Sequence, residues 1–145
     1  MNMIEKSLKN QLKGFDEERG SLLPLEFKNI GFIPQRIFVV NNVPVGEIRG
    51  NHSHHMTQQY LICVDGKVKV FLDDGDTKEV IDLEKNESVL IPPLVWDSQQ
   101  FLTKNAAILV ICSTEYNIDD YIMNYEEFSK IIKRRKVMNI ENNER

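Results

Sequence analysis

All three histidines of this 145-residue chain fall within one short stretch, at His52, His54 and His55. Residues two apart on a β-strand point to the same face, so His52 and His54 would project side by side while His55 points away. Two adjacent imidazoles suit either a metal ion or paired proton transfer, because imidazole titrates near neutral pH. The alternative is a pair of surface or loop histidines with no chemical role. We favour a site at His52 and His54 and expect His55 to be an ordinary surface residue.

Charge and cysteine content exclude several classes of protein. The formal net charge is −4, and the one dense basic run, Lys133 to Lys136, is expected to end a helix rather than to bind phosphate. The two cysteines, Cys63 and Cys112, lie in apolar runs and are predicted to be buried thiols of a reducing compartment. The N-terminus shows no signal-peptide core, and no apolar run has the ~18–20 residues of a membrane span. We therefore expect a soluble cytoplasmic protein that binds neither nucleic acid nor membranes.

The elements that must position the histidines are short strands. Asp65-Gly66 and Asp74-Gly75 separate apolar runs, and Asp-Gly is a strong tight-hairpin signal. Close, regular spacing without strand–helix alternation favours an all-β sandwich or barrel. The strands are predicted at residues 25–30, 36–40, 60–64, 67–72, 78–83, 88–91 and 106–112.

The C-terminal segment changes to a helical period. Apolar residues recur at three- and four-residue steps from Ile118 to Ile132, which predicts one helix that covers an end of the β structure. Asn117 or Asp119 is the predicted cap. We assign residues 1–13 to an N-terminal extension and residues 14–145 to a single domain that includes the helix.

The spacing of Gly46, His52, His54, Gln59 and Gly66 resembles the first motif of the cupins, which are jelly-roll β-barrels. In metal-binding cupins the position of Gln59 is a glutamate ligand. The histidine that ends the second cupin motif is replaced here by Asp97. Two of the four usual metal ligands are therefore changed or missing, and the resemblance implies a cupin that works without a metal or another cofactor.

More specifically, the chain resembles the nucleotide-sugar 3,4-ketoisomerases, which are small cupins that act on dTDP-4-keto-6-deoxyglucose. The similarity extends over roughly residues 14–132, and Ser53, His55 and Asp97 depart from the family pattern, which has Ala, Lys and either His or Arg there. The strings that carry it are Glu18-Arg19-Gly20-Ser21-Leu22, Pro24-Leu25-Glu26, Gln35-Arg36-Ile37-Phe38, Arg49-Gly50-Asn51-His52-Ser53-His54, Leu72-Asp73-Asp74-Gly75, Ile91-Pro92-Pro93-Leu94-Val95-Trp96 and Asp119-Asp120-Tyr121-Ile122.

The resemblance implies an isomerase that moves a sugar ketone from C4 to C3 through an enediolate. One group must transfer the carbon protons and another the oxygen protons, and two neighbouring imidazoles suit both tasks near pH 7. Guided by the family, we assign His54 as the carbon base and His52 as the oxygen shuttle, although the order could be reversed. The resemblance also implies a homodimer that exchanges N-terminal strands.

Six further residues are candidates for binding the nucleotide sugar. Arginines bind phosphate through forked hydrogen bonds, so Arg36 and Arg49 are candidates for the diphosphate, while Arg19 could reach the site or stabilise a turn. Trp96 could form a wall of the site or belong to the core. The remaining two candidates are Gln59 and Asp97, and Asp97 is expected to border the sugar and to influence product stereochemistry.

Gln59 raises a conflict, because an unbroken strand from His54 would instead place Gln58 on the face of the histidines. Two other functions also stay open. One is a metal-dependent cupin enzyme such as a dioxygenase, with His52, His54 and a third ligand. The other is a non-catalytic cupin that binds a sugar or another small ligand.

Overall fold

The computed structural model describes Ile4 and residues 9–145. The two larger sheets contain five strands each, and every strand pair is antiparallel. The strands are β1 (Asn10–Gln11), β2 (Phe15–Glu17), β3 (Gly20–Leu22), β4 (Arg36–Val40), β5 (Ile48–His54), β6 (Gln59–Asp65), β7 (Val68–Asp73), β8 (Lys78–Leu83), β9 (Glu87–Ile91), β10 (Trp96–Phe101), β11 (Ala107–Cys112) and β12 (Tyr121–Ile122). One α-helix, α1 (Tyr125–Asn143), follows them.

The first sheet has the order β1-β9-β6-β11-β4 and the second has the order β12-β5-β10-β7-β8. Inward-facing apolar residues of both sheets form one core, to which Leu61 of β6, Val70 of β7 and Phe101 of β10 contribute. This is the predicted all-β, cupin-like jelly roll with a C-terminal helix. The predicted hairpin at Asp74-Gly75 is confirmed, since β7 and β8 are joined there and pair in antiparallel register. The predicted hairpin at Asp65-Gly66 is wrong, because this turn joins β6 of the first sheet to β7 of the second sheet and the two strands do not pair.

The segment before β4 covers the outer face of the first sheet. Leu12, Leu23 and Leu25 pack there against Tyr60 and Ile62. Within the predicted N-terminal extension, Asn10 and Gln11 pair with β9. The outer face of this sheet is therefore a second apolar layer rather than a solvated surface.

Three further sequence-based predictions of secondary structure are wrong. The predicted strand at residues 25–30 is a short 3₁₀ helix at Phe27–Asn29, because its apolar residues cover a sheet face instead of pairing with a strand. The C-terminal helix begins at Tyr125 and is capped by Asn124, whereas Asn117 caps a separate 3₁₀ turn at Ile118–Asp120. The basic run does not end α1, which continues to Asn143.

Helix α1 packs on one end of the second sheet through Phe128 and Ile132, which contact a cluster that includes Leu94 and Ile122. The Tyr125 hydroxyl donates a 2.6 Å hydrogen bond to Asp73 at the end of β7. The helix thus covers an end of the barrel, as predicted. Among the described residues, no helix has both the length and the apolar character that crossing a membrane requires.

Candidate active site

The two predicted site histidines lie side by side at the end of β5. Their ring centroids are 4.9 Å apart and their planes are nearly perpendicular. His54 is 4% exposed and His52 is partly buried, while His55 is exposed. The alternation predicted from the sequence therefore holds over these three residues.

A β-bulge sets the position of His52. The register between β5 and β10 pairs Gly50 with Ser98 and His52 with Asp97, so Asn51 has no partner on β10. Gly50 has φ of 87° and Asn51 has φ of 56°, the left-handed conformation that glycine and asparagine tolerate best. The extra residue places the His52 side chain opposite Asp97 inside the barrel.

Tyr121 and Arg36 complete the group around the histidines. The Tyr121 ring centroid lies 4.5 Å from that of His54 and 5.4 Å from that of His52. Arg36 of β4 donates a 3.1 Å hydrogen bond from Nη1 to the Tyr121 hydroxyl, and its guanidinium lies over the rings of Phe38 and Tyr116. Arg36 is thus brought to the site by the opposite sheet, and its charge lies near His54.

Burial, together with the adjacent His52, lowers the pKa of His54 to about 4. Asp120 opposes this effect, but its carboxylate is occupied in the turn after β5. There it accepts hydrogen bonds from the backbone N–H groups of Met56 and Thr57 and from the Thr57 hydroxyl. His54 is therefore neutral at pH 7 and has a ring nitrogen that can accept a proton.

Asp97 lies under His52 in the barrel interior. Its carboxyl has no exposed surface, and its Oδ2 lies 4.0 Å from Nε2 of His52. Oδ1 accepts a hydrogen bond from Nε2 of Gln99, two residues along β10. Burial raises the pKa of Asp97 to about 6, and this rise is opposed by His52 and by the hydrogen bond from Gln99.

The sequence left open whether Gln58 or Gln59 belongs to the site, and the structure answers this because the strand that carries the histidines ends before both glutamines. Strand β5 ends at His54 and β6 begins at Gln59, so alternation does not extend from one to the other. Gln59 is buried, and its Nε2 donates a 3.6 Å hydrogen bond to Sγ of Cys112. Cys112 pairs with both Gln59 and Arg36, which places the three residues in one row across the first sheet.

The other sequence-predicted residues lie farther from the histidines. Arg49 is exposed and pairs with Gln99, just before the bulge. Arg19 lies on the β2–β3 hairpin with its side chain 91% exposed, 3.7 Å from Glu17. Trp96 points to the outer face of the second sheet, where it packs against Tyr125 and Phe128 and lines a groove of about 400 Å³. The structure does not bring Arg19 or Trp96 into contact with the histidine pair.

The donor set can also be tested for a metal. Within the described part of the chain, His52, His54 and Asp97 each offer one ligand atom, and these atoms lie within 4.8 Å of one another. They are the donor types that bind divalent transition metals. The nearby amide of Gln59 faces Cys112, so the full set of four cupin ligands is not present.

The comparisons with known proteins identify the family. The family described as "FdtA: WxcM-like, C-terminal" matches residues 5–133. A curated relative, the TDP-4-oxo-6-deoxy-alpha-D-glucose-3,4-oxoisomerase of Aneurinibacillus thermoaerophilus, is 32% identical over 120 residues, which are 81% of this chain and 86% of the relative. The chain belongs to this WxcM-like family.

Solved structures of similar proteins agree with the family and the fold. The sugar 3,4-ketoisomerase QdtA of Thermoanaerobacterium thermosaccharolyticum, solved in complex with TDP, is 32% identical, with a TM-score of 0.83 over 92% of this chain and 98% of QdtA. A 3,4-ketoisomerase of Helicobacter canadensis is 30% identical, with a TM-score of 0.81 over 88% of this chain and 97% of its own. The resemblance stated from the sequence motifs is confirmed for this WxcM-like chain.

Tyr121 is the site residue that sequence reasoning missed. Its position in the apolar pattern from Ile118 to Ile132 assigned it to the helix, yet it lies in β12, which pairs with His54 and Ser53 of β5. The available signal was the Asp119-Asp120-Tyr121-Ile122 string, which carried part of the resemblance to the ketoisomerases.

Proposed function

We propose that this WxcM-like chain is a 3,4-ketoisomerase that converts dTDP-4-keto-6-deoxyglucose to a dTDP-3-keto-6-deoxyhexose. The observation that carries the proposal is the pair of imidazoles in edge-to-face contact at 4.9 Å, one of them buried and neutral, beside Tyr121 and Arg36. The relatives support the substrate class, since QdtA was solved with TDP and, as the H51N mutant, with TDP-4-keto-6-deoxyglucose.

The proposed reaction is an internal redox exchange whose atoms balance without a co-reactant. The C4 carbonyl acidifies the C3 hydrogen, which His54 removes as a proton to give an enediolate. His52 moves the hydroxyl proton from O3 to O4, and His54 returns its proton to C4. The ketone is then at C3 and the hydroxyl at C4, and each positioned acid–base group contributes ~10²–10⁴-fold to the rate.

The lowered pKa of His54 supports its role as the carbon base, because a base must be unprotonated at the working pH. His52 is partly exposed and lies closer to a carboxylate, which suits a group that is transiently protonated. Tyr121 and Arg36 provide hydrogen-bond donors and a positive charge near the developing enediolate.

The nucleotide is proposed to lie toward the half-buried Arg36 and the exposed Arg49. Arg36 and Arg49 are our candidates for the diphosphate, because each could form forked hydrogen bonds to phosphate oxygens. Gln59 and Asp97 are proposed to contribute to the sugar end of the site, whereas Trp96 packs against Tyr125 and Phe128 of α1 and is not part of this proposal. The 3-keto product would serve as a precursor of 3-amino-3,6-dideoxy sugars.

We also propose a cytoplasmic homodimer that exchanges N-terminal strands. The apolar side chains of Phe15 and Leu22 on the β2–β3 hairpin and of Ile37 and Val39 on the edge strand β4 are exposed in the single chain, and burial in a second copy would stabilise them. Arg19 lies on the same hairpin, so exchange would carry it toward the partner. Light scattering of the purified protein would test the dimer.

Incubation of the purified protein with dTDP-4-keto-6-deoxyglucose, followed by NMR, tests the activity directly. We expect the C4 ketone signals to be replaced by those of a 3-keto sugar, with solvent deuterium appearing at carbon. Binding of the nucleotide sugar without turnover would instead support the non-catalytic ligand-binding cupin. Turnover that requires a divalent ion would support the metal-dependent cupin, for which His52, His54 and Asp97 are the available donors.

A further inference from the structure

The carboxyl group of Asp97 is unusual because it is buried with one oxygen left unpaired. Its residue has no exposed surface, and Oδ2 has no hydrogen-bond partner among the described residues. An unsatisfied buried acceptor costs about 1–3 kcal/mol, so a group of this kind in a folded protein requires an explanation. The only titratable group facing this carboxyl within ion-pair distance, among those described, is His52.

The surrounding structure fixes the direction of the carboxyl. Gln99, on the same strand, donates a hydrogen bond to Oδ1 of Asp97. On the neighbouring strand β7, the residue paired with Asp97 is the apolar Leu72. The bulge at Asn51 places His52 opposite Asp97 in the register. Oδ2 is therefore the oxygen aimed at Nε2 of His52, and a hydrogen bond of ordinary length needs a shortening of about 1 Å.

We infer that Asp97 is a positioning residue for His52: its Oδ2 accepts the Nε2–H of His52 and leaves Nδ1 as the nitrogen that exchanges a proton with the substrate. This inference rests on the proposed ketoisomerase activity. When Nδ1 takes the proton from O3, the ring becomes an imidazolium whose Nε2–H faces a carboxylate. The same proton then passes to O4, so the pair returns to its starting state.

The arrangement also distinguishes the two histidines. Three side chains face His52: Asp97 of β10, His54 of the same strand as His52, and Tyr121 of β12. His54 faces Tyr121 and His52. The carboxylate whose charge acts on His54 is Asp120, and this group already accepts hydrogen bonds in the turn after β5. Only His52 has a buried carboxylate oxygen free to pair with it, which assigns the oxygen protons to His52 and the carbon proton to His54.

The Asp97→Asn variant tests this role, because it keeps the shape of the side chain and removes its charge. Gln99 donates to the amide oxygen, so the amide N–H group turns to His52 and donates to Nε2, which reverses the tautomer of the ring. We expect kcat to fall at least ~10²-fold while KM for the nucleotide sugar changes little. In ¹⁵N NMR spectra of the free protein, the protonated nitrogen of His52 is expected to change from Nε2 to Nδ1.

Ser98→Ala is the matched control, since Ser98 lies on the same strand next to Asp97 and lines the outer groove. It should retain the parent's kcat and the parent's His52 tautomer. If Asp97→Asn keeps the parent kcat, raises only KM, or leaves the His52 tautomer unchanged, the inference is wrong.

The NMR measurement needs no substrate, so it separates this inference from the proposed function. A parent protein that shows the Nε2–H tautomer but no turnover would overturn the ketoisomerase proposal and with it the role of the pair in catalysis. A parent that turns over but carries its proton on Nδ1 of His52 would overturn the positioning role alone.

Discussion

At the scale of single residues, the two adjacent imidazoles of His52 and His54 carry the proposed chemistry. We expect His52→Asn and His54→Asn each to abolish turnover of the keto sugar while the fold is retained. The carbon and oxygen protons are transferred by separate imidazoles, and each imidazole contributes ~10²–10⁴-fold to the rate. His55→Ala is the control, since its ring is exposed and points away from the pair. Steady-state rates by NMR and circular dichroism of the three variants provide the measurement. A near-normal rate in either asparagine variant would remove that histidine from the mechanism.

Asp97 is also a buried position at which the chain departs from the pattern of the ketoisomerases that it resembles. Replacing it by His or Arg, the residues that the resemblance places there, should alter the ratio of products that differ at C4. Its side chain has no exposed surface and faces His52, so such a change puts a new cation beside the proton shuttle. The ratio is measured by NMR after reduction of the products. An unchanged ratio in both variants would mean that Asp97 has no influence on the face of C4 that is protonated.

At the scale of elements, the bulge in β5 connects the backbone to the site. Gly50→Ala forces a side chain onto a φ of 87° and places its Cβ 3.1 Å from the carbonyl oxygen of Asp97 and from the amide of Gln99. We expect a loss of stability of about 1–3 kcal/mol and a fall in kcat of at least ~10-fold, because the proton shuttle is displaced from Asp97.

Gly46→Ala is the matched control for the bulge. Gly46 has a similar φ of 90°, but an added Cβ would meet nothing within 4 Å. Both variants therefore carry the backbone strain, and only Gly50→Ala disturbs Asp97 and Gln99. Urea unfolding and steady-state kinetics of the pair separate the two effects. Equal kcat values would show that the bulge does not position the site.

The same elements explain how far the sequence predicts this molecule. Six of the seven predicted strands are present because apolar runs between Asp-Gly turns have few other ways to be buried. The strand β10 was missed because Asp97, Ser98 and Gln99 interrupt its apolar pattern, although all three are buried. The local sequence does not indicate that a polar residue will be buried beside a histidine on another strand.

For the site, the sequence predicts the adjacent histidines and names Arg36 and Asp97 as candidates, but it does not predict Tyr121 or the contacts that these residues make. Arg36 and Tyr121 meet at a distance of 3.1 Å although they are 85 positions apart, and only the closing of the two sheets brings them together. The bulge at Asn51 was likewise not predicted, although Gly50-Asn51 combines the two residues that tolerate left-handed backbone best.

At the scale of the whole molecule, we expect turnover to need no metal. Among the residues that the structure describes, three donors converge at the site, and the usual cupin glutamate is the neutral amide Gln59, which faces Cys112 instead. Dialysis against a strong chelator should leave the rate unchanged, and elemental analysis should find well under one metal ion per chain. Loss of activity that one specific divalent ion restores would support the metal-dependent alternative.

The two buried titrating groups have opposite effects on stability as the pH falls. His54 binds its proton at about pH 4 in the folded chain and near 6.5 when unfolded, so acidification through this interval destabilises the fold. Asp97 is protonated at about pH 6 when folded and near 3.8 when unfolded, so it stabilises the fold on acidification.

We therefore expect Asp97→Asn to lose about 2 kcal/mol more stability than the parent between pH 7 and pH 4.5. His54→Asn should lose less than the parent over the same interval. Urea unfolding at the two pH values, with His55→Ala as the control, measures these differences. If all the proteins lost the same free energy of unfolding between the two pH values, the shifted pKa values of His54 and Asp97 would be contradicted.

Both cysteines lie on the β6–β11 pair, where Cys63 is opposite Ile108 and Cys112 is opposite Gln59. Each is almost completely shielded, and burial raises the pKa of Cys112 and brings that of Cys63 to about 11. Since thiolates are the reactive species, alkylating agents and oxidants meet no competent sulfur in the folded chain. A single cysteine introduced on the surface would thus be the one position to accept a fluorescent or spin label, and the native thiols need not be removed first.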